Sequence, residues 1–347
     1  MTSFTASVIG GSGFAGGELL RLLDGHPSFE VVQATSRQFT NKTVGAVHPN
    51  LRHVDLRFTE PADLQSVDVL FAATPHGVSM ERIDSFREAA DTVVDLSADF
   101  RLSDVTQYEE WYDGHVVPEF LSEAVYGLPE LNRDSIAGAS LISTGGCNAT
   151  VTMLGLYPFV VADLIDPDGD RIVSDLKVGS SEGGAGGGSA SSHPERSGVV
   201  RPYAPTEHRH QAEISQELGL DVSFTVHAVD MIRGAAATSH LFPSEMPEKA
   251  AIWKALREVY EDEPFVRIVS GGSGVYRYPE PKAVAGTNMV EVGFEIDDRT
   301  DRIVVFSAID NMMKGAAGQA VHAANVALDL DETAGFDFTG LHPVGAP

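Results

Sequence analysis

The chain has 347 residues, 43% of them hydrophobic, with 50 acidic against 24 basic side chains and a formal net charge of −26. That length exceeds the roughly 250–300 residues at which single cores stop growing, so two domains are expected; the apolar content excludes an acidic disordered chain. The sign of the charge argues against a nucleic-acid partner. Only six basic residues are lysine, and the acidic excess reads as a surface adapted to high salt, where self-repulsion is screened. A single cysteine, Cys147, rules out a disulfide framework within the chain and fits a reducing cytoplasm. No signal sequence is visible at the N-terminus and no apolar run approaches ~18 residues, so no membrane partner is expected.

In chain order, residues 6–9 read as a short strand. They enter Gly10-Gly11-Ser12-Gly13-Phe14-Ala15-Gly16-Gly17, a helix over 18–23 and a second strand over 29–34. Gly11, Gly13 and Gly16 have the spacing of a dinucleotide fingerprint. Such glycines let backbone approach a pyrophosphate whose charge faces the helix N-terminus. After the second strand, an NAD site usually carries an acidic residue for the ribose hydroxyls. This chain has Thr35-Ser36-Arg37-Gln38, a hydroxyl beside a guanidinium, which suits a 2′-phosphate and predicts NADP. Further buried strands are expected over 68–73 and 92–96. His76 reads as a turn histidine bonded to backbone, and Asp99 with Arg101 as a structural charge pair.

A strand over 139–142 then meets Ser143-Thr144-Gly145-Gly146-Cys147-Asn148-Ala149-Thr150 and a helix over 151–164. A thiol there lies at a helix N-terminus, where the dipole and amide groups favour a thiolate and hold an oxyanion. Beyond it the alternation of residues 171–178, 223–229, 237–242, 265–269, 290–296 and 302–309 predicts a mainly antiparallel sheet. The glycine- and serine-rich stretch 179–192 is expected to be an ordered loop over the site. His208-Arg209-His210 with Glu213 begins a helix, residues 247–259 form another, and 311–330 returns as an alanine-rich helix. The fold class is α/β: a Rossmann-type domain at 1–147 with 311–347, and an α+β catalytic and substrate domain at 148–310. No metal-ligand pattern is apparent.

Several blocks, in order, carry a resemblance: Gly10 to Gly16, Pro75-His76-Gly77, Asp95 to Leu102, Tyr126-Gly127-Leu128-Pro129-Glu130-Leu131, Gly146-Cys147, His208-Arg209-His210 with Glu213-Ile214, and Asn311 to Ala320. Together they resemble the N-acetyl-γ-glutamyl-phosphate reductases, relatives of aspartate-semialdehyde dehydrogenase, over nearly the whole chain. Two positions depart from the usual pattern. Cys147-Asn148-Ala149-Thr150 replaces Cys-Tyr-Pro-Thr, and Asp230 stands where proline precedes the Met-x-Arg-Gly segment. With Ser192 to Gly198, these are similar to the archaeal branch that acts on glutamyl or aminoadipyl phosphate tethered to the carrier protein LysW.

The resemblance implies an NADPH-dependent oxidoreductase of arginine or lysine biosynthesis, a homo-oligomer (dimer or tetramer), reducing an acyl phosphate to the semialdehyde. An acyl phosphate acylates a thiolate readily, and hydride then gives a thiohemiacetal that collapses to the aldehyde. Cys147 is the expected nucleophile, His210 the acid/base and Glu213 its orienting partner, with His208 in reserve. Gly10, Gly11, Ser12, Gly13, Phe14, Ala15, Gly16, Ser36, Arg37, Gln38 and Asn311 are the cofactor candidates. Arg201, His208 and Arg233 are the substrate candidates, and the arginines around Arg196 and Arg201 could meet the carrier. The alternatives are the free N-acetyl substrate, an aspartate-semialdehyde dehydrogenase, and a dinucleotide sensor without chemistry.

Overall fold

Short runs of Val, Ile, Leu, Phe and Ala, buried on both sides, make the first sheet; such two-faced burial characterises parallel strands. Its strands are β1 (Phe4–Ile9), β2 (Phe29–Thr35), β3 (Phe58–Thr59), β4 (Val67–Ala72), β5 (Ala90–Asp95), β6 (Val125–Tyr126) and β7 (Leu141–Ser143). They lie in the order β3-β2-β1-β4-β5-β7-β6, and each pair is parallel. The order reverses beside β1, so the carboxyl end of β1 is a switch point of the kind that binds ligands. The computed structural model describes residues 3–186 and 188–341. Within these, contacts define two units: residues 3–145, 184–186 and 316–338 in one, and 146–183, 188–315 and 339–341 in the other.

The first unit departs from the expectation in places. The strand expected at 139–142 begins at Leu141, because Gly138 takes a φ of 75° and the Ala139 N–H closes onto Ile136 O at 2.9 Å, ending the preceding helix. Helices Val78–Ala89, Val105–Trp111 and Pro129–Ile136 were not anticipated, although the second has a sequence marker: Asp104 caps it by accepting from the Gln107 N–H at 2.9 Å. The Gly318–Ala327 helix is buried at every position. Its Asn325 is accommodated because Oδ1 faces His26 Nε2 at 3.1 Å while Nδ2 donates to the Glu332 and Ala334 carbonyls.

The second unit holds β8 (Arg171–Val178), β9 (Val200–Tyr203), β10 (Val222–Val229), β11 (Ala235–Phe242), β12 (Val266–Ile268), β13 (Val290–Asp297) and β14 (Arg302–Ile309), in the order β12-β13-β14-β11-β8-β10-β9. The sheet is mixed rather than antiparallel throughout, for β8 with β10 and β12 with β13 run parallel. A parallel pair needs a crossover of a dozen or more residues. The segment between β8 and β10 is long enough, and it carries the His210–Leu218 helix.

The Cys147–Val161 helix packs on β8, β11, β13 and β14 and against the His210–Leu218 and Lys249–Tyr260 helices. It starts four residues before the expected 151 because Gly146 already serves as its N-cap. Its interior proline is tolerated for a definite reason. Pro158 has no N–H for the Leu154 carbonyl, and Tyr260 Oη donates to that carbonyl instead. Ser307 Oγ donates to Val151 O at 2.6 Å, pinning the same helix to β14.

Candidate active site

At the carboxyl end of β1 the backbone closes into a cradle. Gly10 has a φ of 76°, and a Cβ there would meet Ala73 O at 2.3 Å; a Cβ on Gly16 would meet Gly10 O at 2.4 Å. Side chains are therefore excluded where the loop folds onto itself. Gly13 caps the Phe14–Asp24 helix with no side-chain bond, so that helix end meets its surroundings through backbone amides. Ser12 Oγ lies 2.8 Å from Ser36 Oγ, which joins the loop to the end of β2. Ser36 is buried, while Phe14, Arg37 and Gln38 are exposed and Ala15 half-buried. Two neighbours went unnoticed in the sequence. His48 Nε2 donates to Gly11 O at 2.8 Å. Arg82 has its pKa lowered by burial and then by the positive charge of Arg37, so two guanidiniums gather beyond β2.

Other first-unit candidates have structural partners. His76 Nδ1 accepts from the Ala98 N–H at 2.9 Å. Asp99 accepts from the Gly77 and Met80 amides, at 2.7 and 3.0 Å, at the start of the Val78–Ala89 helix. Arg101 donates to Thr144 O and Leu96 O, at 2.8 and 3.1 Å.

In the second unit, Cys147 is the first residue of its helix and half-buried. The first N–H bonded along the helix is that of Thr150, to Gly146 O at 2.8 Å, so the amides of residues 147–149 precede the helical ladder. The His210 imidazole lies directly on Gly146: a Cβ there would fall 2.3 Å from Nε2. Glu213, wholly buried, divides its carboxylate. Oε2 accepts from the Gly146 N–H at 2.8 Å, and Oε1 stands 3.8 Å from His210 Nε2. One carboxylate thus fixes both the turn before the cysteine and the ring beside it. On the other side Gly315 is pressed against Cys147, since a Cβ there would meet Cys147 Cβ at 2.6 Å. The Gly315 N–H bonds Asp310 O at 3.1 Å in the π-helical turn Met313–Ala317, a local widening in place of the plain helix expected from 311.

His208 sits beneath His210, ring centroids 4.7 Å apart, and its Nδ1 accepts from the His210 N–H at 3.2 Å. Burial, and then the Arg209 charge, lower its pKa to about 4, so it is neutral under ordinary conditions and shapes the helix start. Arg201 donates to Glu195 O at 3.0 Å, and Arg233 Nε stands 3.5 Å from Asp310 Oδ2. Arg196 is not a surface cation: it is buried, donating to Val229 O and Val178 O at 3.0 and 2.7 Å. Asn311 is 3% exposed, and its Oδ1 accepts from the Gly234 N–H at 2.7 Å while Nδ2 donates to Ser181 Oγ at 2.9 Å. These bonds hold the start of the 179–192 loop, whose described part folds into the short turns Ser180–Gly183 and Ser189–Ser191. The structure thus assembles Cys147, His210, Glu213 and His208, and gives Asn311 a bracing role in the second unit. Tyr203, which donates to Glu182 Oε2 at 2.6 Å, joins this group without having been singled out as a site residue.

The Rossmann-type sheet with its glycine cradle and the mixed sheet with its cysteine helix define a semialdehyde-dehydrogenase type of oxidoreductase. Residues 5–139 match the semialdehyde dehydrogenase NAD binding domain and residues 147–311 the semialdehyde dehydrogenase dimerisation domain. Aspartate semialdehyde dehydrogenase II from Vibrio cholerae, in complex with ASA, superposes with a TM-score of 0.72 at 16% identity, covering 94% of this chain and 98% of that one. The enzyme with NADP from Candida albicans gives 0.67 at 17% identity, covering 94% and 98%. The chain belongs to the LysW-L-2-aminoadipate/LysW-L-glutamate phosphate reductase family. It is 72% identical to the protein of that name from Haloarcula marismortui over 99% of its length and all of the relative's. Identity is 70% to the Haloquadratum walsbyi protein, over the whole of both chains. It is 49% to the Pyrococcus furiosus protein, over 98% of this chain and 99% of that one. Among the described residues no helix is long and apolar enough to cross a membrane.

Proposed function

We propose that the chain reduces the acyl phosphate of a glutamyl or aminoadipyl group tethered to LysW, releasing phosphate and the semialdehyde, with NADPH as reductant. The observation that carries this reading is the cysteine at a buried helix N-terminus with His210 laid on the preceding glycine and Glu213 bonded to the Gly146 N–H beside that ring. His210 takes the thiol proton, and the helix dipole favours the thiolate. Cys147 Sγ then attacks the acyl carbon; the bond to the phosphate oxygen breaks and a thioester forms. NADPH, when bound, supplies the hydride. His210 returns its proton to the oxygen of the resulting thiohemiacetal. It removes that proton again as the C–S bond breaks and the aldehyde leaves. Glu213 orients the imidazole throughout and keeps the Gly146 turn in place.

The glycine cradle fits a dinucleotide, since side chains at Gly10 and Gly16 would collide with neighbouring backbone and open the tight turn whose amides would meet a pyrophosphate. The choice of NADPH over NADH rests on Ser36, Arg37 and Arg82. Two guanidiniums gathered beyond β2 repel each other unless an anion lies near, and a 2′-phosphate is such an anion. Arg37→Ala is expected to weaken NADPH binding about 10- to 100-fold, the scale of a charge-assisted contact, and to leave NADH binding almost unchanged. Fluorescence titration of both nucleotides measures this; a wild-type preference for NADH would exclude the assignment.

The tethered substrate is supported by relatives that bear that name at high identity and nearly full coverage. A carrier adds remote contacts whose binding energy raises turnover of the attached group. We expect kcat/KM in the reverse direction, with NADP and phosphate, to be much higher for the carrier-bound semialdehyde than for the free N-acetyl one. Equal or better use of the free compound assigns the chain to the N-acetyl reaction instead. The acidic composition supports action in a high-salt cytoplasm, and the dimerisation-domain match supports a homo-oligomer. Since Arg196 is buried and Arg201 is engaged by Glu195, the pairing with the carrier draws on salt screening rather than an arginine patch.

A further inference from the structure

The residue after the nucleophile is unusual in its bonding. Asn148 is 1% exposed, and its Oδ1 is buried without a hydrogen-bond partner among the described residues. An unmet buried acceptor is costly, and this one lies beside the cysteine. The orientation of the carboxamide follows from its neighbours. Tyr203 Oη donates to Glu182 Oε2 at 2.6 Å, so the phenol's proton is committed to the carboxylate. The Asn148 carboxamide faces the same phenol as a donor and works against the rise of its pKa, and a phenol oxygen whose proton is used can only accept. The chain therefore runs Asn148 Nδ2–H to Tyr203 Oη–H to Glu182, and Oδ1 is turned the other way. Tyr203 feels the charges of both Glu182 and Cys147, which places the chain beside the thiol.

We infer that Asn148 is a specificity residue whose Oδ1 accepts a hydrogen bond from an amide N–H carried by the acyl substrate. This rests on the reduction proposed above and names the class of compound it takes: an acyl phosphate or aldehyde of an N-acylated amino acid. The phosphate and the acyl oxygen offer acceptors where the site also offers an acceptor, so neither answers Oδ1. A secondary amide does, because its N–H is a permanent donor at any working pH. Tyr203 and Glu182 act as positioning residues that hold the carboxamide in the useful orientation.

The test uses three semialdehydes in the reverse direction: the N-acyl compound, its N-methyl amide, and the ester with oxygen in place of N–H. The wild type should prefer the N–H compound by roughly 10- to 100-fold in kcat/KM, the scale of leaving a buried acceptor unmet. Asn148→Leu should lose that preference while acting on the other two much as the wild type does. Tyr203→Phe, which frees the carboxamide to turn, should reduce the preference part of the way, and serves if the leucine variant fails to fold. An equal loss on all three substrates in Asn148→Leu, as a merely structural role or a bond to the thiohemiacetal hydroxyl would give, overturns the inference. So does a wild type indifferent to the N–H. Calorimetric binding of the matching non-reacting N-acyl, N-methyl and ester dicarboxylates separates the two readings. If no semialdehyde is turned over but the N–H preference in binding persists and depends on Asn148, the reduction fails and this inference stands. Absence of the preference in binding and turnover alike removes it.

Discussion

Cys147→Ser is expected to lose turnover by about 10⁴-fold or more, the scale reached when a covalent nucleophile is removed, while binding NADPH as the wild type does. The reason is specific to the site. A helix N-terminus lowers a thiol's pKa into the working range, but no such field makes a serine hydroxyl an alkoxide. The substitution is also nearly isosteric, so the close contacts with Gly315 and the bond from Gly146 to Glu213 survive it. A quenched-flow search for phosphate release in the first turnover gives the sharper measurement. The wild type should release about one phosphate per site before aldehyde appears if acylation precedes reduction, and the serine variant none. Retention of more than a few per cent of the wild-type rate by Cys147→Ser would rule out the covalent route.

His210→Asn should lower kcat by ~10²–10⁴-fold, the usual worth of a positioned acid/base. The companion His208→Asn should cost far less. His208 has its pKa depressed to about 4, so it is not the imidazolium acid across the neutral range, and its Nδ1 already accepts from the His210 backbone. Its contribution is to hold the start of the His210–Leu218 helix. The pH–rate profiles distinguish the two. The limb that disappears in His210→Asn should persist in His208→Asn, merely scaled down. If the larger loss and the altered profile belong to His208, the roles are exchanged.

The first sheet was legible because its longer strands carry apolar runs and the glycine loop sits in a strand–helix frame. The two-residue strands β3 and β6 were not, for they are too short to show a period. In the second unit the alternation of β8 and β14 located both strands without indicating their partners. The parallel pairing of β8 with β10 depends on which way a long connection returns, and periodicity is blind to that. Cys147, His210 and Glu213 could be named from helix-start chemistry, since residues three apart on one turn meet. Gly146 beneath His210 could not, because the contact joins segments distant in sequence. The arginines misled for a related reason. Charge alone suggests an exposed patch, whereas Arg196 finds two backbone carbonyls at the ends of β8 and β10 that offset its burial. Asn148 was visible only as a departure from a family pattern; its unmet oxygen is a fact of packing.

The contact between Gly315 and Cys147 joins the two ends of the long stretch, residues 146–315, that makes up most of the second unit. During synthesis, the thiol emerges early while the glycine that confines it arrives only near the end. All of β8 to β14 lies between, so this is among the costliest loop closures in the unit. A nascent chain therefore exposes an unconfined cysteine until almost the whole protein has been made. The same closure brings together the two ends of residues 146–315, an arrangement that suits joining them by a short linker.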